Sequence, residues 1–117
     1  MLLKRINKMP KRDDFPIAIK RILAQRSGYL CSKPGCRKLT IRPHSDPEKS
    51  LSNGVAAHIN AASKNGPRYD PNQSEEERSS INNAIWLCHD HSDIVDKDEK
   101  KYPEELLREW KKSMRNL

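Results

Sequence analysis

Apolar material is scarce in this chain: 34% of its 117 residues are hydrophobic, 5% are aromatic, and phenylalanine occurs once. With 33% of residues charged and a mean hydropathy of −0.97, there is enough for one small core only. Folding free energy that low calls for help from a cross-link or a metal. Runs of about 18 apolar residues are missing, which excludes a helix spanning a bilayer. Met1-Leu2-Leu3 passes directly into Lys4 and Arg5, without the apolar stretch or small-residue cleavage site of a secretory leader, so the expected location is the cytoplasm. Cysteine is sparse too. Three cysteines are an odd number, a poor basis for a disulfide framework, and in a reducing compartment they read as metal ligands.

Acidic residues are outnumbered, giving a net charge of +7. Lys4, Arg5, Lys8, Lys11, Arg12, Lys20, Arg21 and Arg26 face only Asp13 and Asp14 in the first part of the chain. Such a field draws polyanions and speeds their encounter, and it equally serves solubility. Charge alone permits nucleic acid as a partner without selecting it.

Residues 1–12 read as a loose basic arm, and residues 13–117 as one domain. Asp13 or Asp14 is expected to cap a helix reaching Ser27, with Pro16 in its first turn, Gly28 as its stop, and Phe15, Ile19, Ile22 and Leu23 on its buried side. Residues 42–54 read as a loop rich in Pro, Ser, Asp and Gly. Val55–Ile59 reads as a short strand holding His58, and Ile81–Cys88 as a second apolar strand or turn. The long connection between them predicts a helical turn near Ser74–Ser80. A short helix is expected to start at Cys88 or His89. Pro103 opens a last helix with Glu104 and Glu105 at its positive end and Lys111, Lys112 and Arg115 at its negative end. Leu106, Leu107, Trp110 and Met114 form its core stripe.

Cys31-x4-Cys36 and Cys88-x2-His91 are two short-spaced ligand pairs in distant segments, the usual way to surround zinc with four sulfur and nitrogen donors. Pro34-Gly35 supplies the tight turn that aims two sulfurs at one point. With all four positions filled by protein, such a site is closed and structural. His89 and His44 compete for the fourth place; His89 adjoins Cys88 and points elsewhere, and His44 has no paired ligand, which favours His91.

Val55-Ala56-Ala57-His58-Ile59, then Gly66-Pro67-Arg68-Tyr69, then Ile81-Asn82-Asn83-Ala84-Ile85-Trp86-Leu87-Cys88 resembles the HNH endonuclease family. Ile94-Val95-Asp96-Lys97-Asp98 and Glu105-Leu106-Leu107-Arg108-Glu109-Trp110-Lys111 extend the resemblance, which runs from about Ile17 to Met114 and is closest to HNH domains of bacterial phage-defence effectors. It implies an α+β fold: a ββα-metal core closed by structural zinc, between an N-terminal and a C-terminal helix. It further implies that His58 is the general base, that Asn83 orients it, and that Cys31, Cys36, Cys88 and His91 are the zinc knuckles. The Gly66-Pro67-Arg68 loop, with Lys64 just before it, would lie by the scissile phosphate. Mg²⁺ or Mn²⁺ is the implied catalytic ion, and DNA the implied partner, with RNA the alternative. A homodimer or a larger effector protein is the implied setting.

Two positions depart from the family's common pattern. Ala57 stands where many members have Asp or His before the base, and Ser92 where many have a His after the second helical zinc ligand. Both are metal ligands in those members. Asp96, one helical turn beyond Ser92, is the replacement carboxylate, ahead of Asp90 and Asp93. The rival function is a catalytically degenerate, zinc-stabilised module that binds nucleic acid or protein.

Overall fold

The computed structural model describes residues 14–116. The expected arm over residues 1–12 and the capping alternative Asp13 lie outside the described residues. The architecture is α+β: four short α-helices and two antiparallel strand pairs among the described residues.

A first helix, α1, covers Ile17–Arg26. It starts later than the sequence suggests, because Pro16 is the cap itself, in extended backbone, and not a first-turn residue. Asp14 accepts the Phe15 amide at 2.7 Å and does not cap the helix. At the other end Gly28 takes φ +64°, where a side chain is disfavoured, and the Tyr29 amide reaches back to the Ala24 carbonyl. Phe15, Leu23 and Ala24 are buried, but Ile22 is 45% exposed. The expectation for Ile22 fails because the contact stripe runs through positions 15, 19 and 23, one residue every helical turn, leaving Ile22 on the flank.

Residues 42–54 are not all loop. Ile41–Pro43 forms β1 and Ser50–Ser52 forms β2, an antiparallel pair in the register Ile41 with Ser52 and Pro43 with Ser50. Both strands are three residues long and largely exposed, so neither carries an apolar alternation that sequence could reveal.

The central element is a second pair. Gly54–His58 is β3 and Ala84–Cys88 is β4, with Ala56 opposite Trp86 and His58 opposite Ala84. A short 3₁₀ turn over Ile81–Asn83 leads into β4. Every residue of β4 is buried, because both faces of the pair are covered. Ala57, Ile59, Ile85 and Leu87 pack with Val95, Leu107 and Trp110 on one side, while Ala84 and Trp86 pack with Phe15, Leu23 and Ala24 on the other. Gly54 is required for this: a Cβ there would stand 2.1 Å from the Trp86 ring.

His89–Lys97 is α3, following β4 directly, and Glu104–Ser113 is α4. Leu107 and Trp110 are the buried part of the α4 stripe. Between β3 and β4 a one-turn helix, α2, covers Glu75–Arg78 and is closed by a reciprocal Ser74–Glu77 capping box. No helix among the described residues is long and apolar enough to cross a membrane.

Candidate metal centre and the adjoining cavity

Cys31, Cys36, Cys88 and His91 converge, their ligand atoms all within 4.8 Å of one another. The first pair sits on a turn: Gly35 takes φ +87° and the Cys36 amide donates to the Lys33 carbonyl at 3.0 Å. The second pair sits at the start of α3, where Cys88 is the cap residue and His91 lies one turn further on. The Ser32 amide donates to the Trp86 carbonyl at 2.9 Å, tying the turn to β4.

The donor set fits a tetrahedral zinc ion. Zinc–sulfur and zinc–nitrogen bonds of about 2.3 and about 2.0 Å give tetrahedral S–N edges of about 3.5 Å. The Nδ1 atom of His91 lies 3.2 Å from the Cys88 sulfur and 3.8 Å from that of Cys31. Burial pushes the Cys31 thiol up to about 11, and the neighbouring Cys88 and Cys36 sulfurs add to the rise against amide hydrogen bonds from Cys88 and Lys33. Three thiolates gathered in this space therefore need a cation among them. His91 is held below its ordinary value, first by burial and then by Lys33, so its ring is neutral and fit to ligate. His44 is elsewhere, its Nδ1 accepting the Asp46 amide at 2.9 Å, and His89 is exposed. Cys31, Cys36, Cys88 and His91 are thus positioned to bind one metal ion, as structural zinc requires.

Toward the end of β3 away from Cys88 lies a cavity of about 230 Å³, which α3 reaches through Ser92, the residue after His91. His58, Ser92 and Asp96 border it, with Ala57, Ser63 and Gly66 completing much of the wall. His58 ends β3 and is half-buried, its ring stacked on Phe15 at 4.0 Å and 19°. Asp14 is within electrostatic reach of that imidazole. Burial opposes ionisation of Asp14, but the Phe15 amide, Lys20 and His58 together hold its carboxyl below the usual range.

Arg68 does not lie open to a phosphate. Its side chain is 5% exposed and pairs with Asp96 at 2.7 Å. Nε donates to the Ile59 carbonyl at 2.7 Å, and Nη1 to the carbonyls of Val95 at 2.9 Å and Tyr102 at 3.3 Å. A guanidinium has five N–H groups, and these bonds engage four of them. Arg68 is an internal strut that joins β3, α3 and the segment before α4, and it aims Asp96. The cause is backbone: Arg68 sits at φ +58° and its amide donates to Glu99 at 2.9 Å, which turns the side chain inward. Lys64, by contrast, is exposed, next to Ser63 on the cavity wall.

Asn83 is 1% exposed and does not line the His58 cavity. Its Oδ1 accepts the Asn60 amide and its Nδ2 donates to the Asn60 carbonyl, both at 2.9 Å, while Nδ2 also donates to the Arg78 carbonyl at 3.0 Å. This clamp fixes the chain two residues beyond His58. Asn83 is thus a buried clamp on the chain that follows β3.

Asn60 itself escapes the sequence reading. It is 2% exposed, and its side chain bonds the Arg68 carbonyl at 2.9 Å, Glu104 at 3.1 Å and Arg108 at 2.9 Å. No spacing announces it, since its partners come from four segments. No family model matches the chain, and neither does any curated protein at a significant level.

Proposed function

We propose that this protein is a metal-dependent HNH-type endonuclease that hydrolyses phosphodiester bonds in DNA with low sequence specificity. The observation that carries the reading is the gathering of His58, Ser92 and Asp96 around one cavity, the last two on the helix that also carries His91. The zinc-closed hairpin and α3 then correspond to a ββα-metal core, with α1 and α4 packed outside it.

His58 takes a proton from the attacking water. Imidazoles titrate near neutral pH and suit that task. Asp96, aimed by Arg68, and the Ser92 hydroxyl would hold Mg²⁺ or Mn²⁺; such hard ions keep much of their water and accept as little as one carboxylate with substrate phosphate. When bound, the ion supplies charge neutralisation at the phosphate and leaving oxygen. Asn83 holds the end of β3, and with it His58, through Asn60. Lys64 at the rim meets the phosphate backbone in place of Arg68. Binding by backbone charge weakens steeply with salt. Cutting both strands takes two copies, as a homodimer or within a larger effector.

A second reading, a zinc-stabilised module that binds nucleic acid without cutting it, draws on the Phe15 ring lying over His58 and on the ion pair that neutralises Asp96. Nicking of supercoiled plasmid in Mg²⁺ and Mn²⁺ separates the two. The nuclease reading predicts nicking by the intact protein and a loss of about a hundredfold or more in His58→Ala, with Asp96→Ala also impaired. DNA retardation on a gel without nicking under either ion establishes the second reading.

A further inference from the structure

On the Trp86 side of the β3–β4 pair, α1 and α4 leave a second cavity, of about 400 Å³. It shares no residue with the His58 cavity. Arg26 of α1, Arg108, Lys111 and Lys112 of α4, and Arg115 just beyond it all line it, and no carboxylate does. Its apolar part is Leu23, Trp86 and Met114.

Among the described residues, one of the five cations is compensated by an acid: Arg108 pairs with Glu104 at 2.8 Å. Arg26, Lys112 and Arg115 have no ion-pair partner among the described residues. Lys111 is partly buried and donates to the Ile81 carbonyl at 2.5 Å. Burial, and then the charges of Arg108, Arg26 and Arg115, pull its amine down to about 8. Cations that outnumber their counter-charges in a half-enclosed space repel one another, and an anion entering it relieves that repulsion.

The geometry points to a nucleoside phosphate as the occupant. Phosphate oxygens match the Arg26–Lys111–Arg115 side, where guanidinium forks bind them in pairs. The planar base matches the Trp86–Leu23–Met114 side. The volume lies within the range of small-molecule sites, about 300–1,000 Å³. The inference does not depend on nuclease activity.

Calorimetry on the full zinc-loaded chain tests it, with ADP, inorganic phosphate and a short DNA duplex as separate probes. The proposal predicts that ADP binds more tightly than inorganic phosphate. It predicts that the double variant R26Q/R115Q, altered at exposed positions, loses about tenfold or more in ADP affinity, and that His58→Ala keeps it. Unaltered thermal unfolding of the double variant establishes that the loss is local. Absence of ADP binding overturns the proposal, as does binding indifferent to R26Q/R115Q. Equal affinity for inorganic phosphate removes the nucleoside from it. If the duplex alone binds and R26Q/R115Q weakens it, the cavity serves a nucleic-acid backbone and the proposal fails. Failed nicking beside intact ADP binding faults the nuclease reading alone.

Discussion

The Cys/His cluster and the His58 cavity flank the same strand pair, yet they are built in opposite ways. In the cluster, four donors converge on one point, from two short segments that each bring a ligand pair. In the cavity, support comes from further protein groups: Asp96 is held by Arg68, His58 by Phe15, and the end of β3 by Asn83 through Asn60. A closed centre spends its ligands on holding the chain together. An open one leaves a donor to face solvent and must recruit its support from other segments.

Breaking the cluster is expected to have the largest effect. Cys31→Ser or Cys88→Ser leaves fewer donors and an uncompensated buried group, and the domain should unfold outright, seen as loss of the cooperative thermal transition. Asp96→Ala provides the contrast. Its side chain is 47% exposed but its partner Arg68 is 5% exposed, so stability should fall by about 1–3 kcal/mol with the domain still folded, while any nicking suffers.

Next in size is Asn83→Ala. It strips both backbone groups of Asn60 and the Arg78 carbonyl of their partners, at a cost of about 3 kcal/mol. Urea unfolding should show the lower midpoint with zinc content unchanged. If zinc is lost as well, the two regions are not separable.

The smallest effect concerns acid. Hydrogen bonds from Arg108 first and Asn60 second hold the Glu104 carboxyl below its ordinary value, against desolvation. A depressed folded value means that the unfolded chain binds the proton more readily. The stabilisation is therefore complete above the ordinary carboxylate range and lost as pH falls through the lowered value. The pair is 39% exposed on each side, so the change is under about 1 kcal/mol. Comparing Glu104→Gln with the unaltered protein across that range isolates it, because acid release of the metal is common to both.

These contrasts also mark what sequence can disclose. The ligand pairs were legible because each is local and its turn chemistry is written between the cysteines. The helix α4 was legible from its opening proline, end charges and apolar stripe, and β3 and β4 from short apolar runs. The β1–β2 pair was not, since its strands bury almost nothing. The inward course of the Arg68 side chain was not legible, because the partners that hold it, Val95, Asp96 and Tyr102, are distant in sequence. Phe15 was placed correctly in the core, but that it covers His58 follows only from how α1 is docked.

The central claim is that one tetrahedral ion joins the Cys31–Cys36 turn to the start of α3 and so sets the frame on which the His58 cavity is built. Elemental analysis of the purified protein, paired with the absorption spectrum of its cobalt-substituted form, tests it directly. The account predicts about one zinc per chain and an intense tetrahedral, thiolate-ligated cobalt spectrum. A cooperatively folded protein free of metal would contradict it.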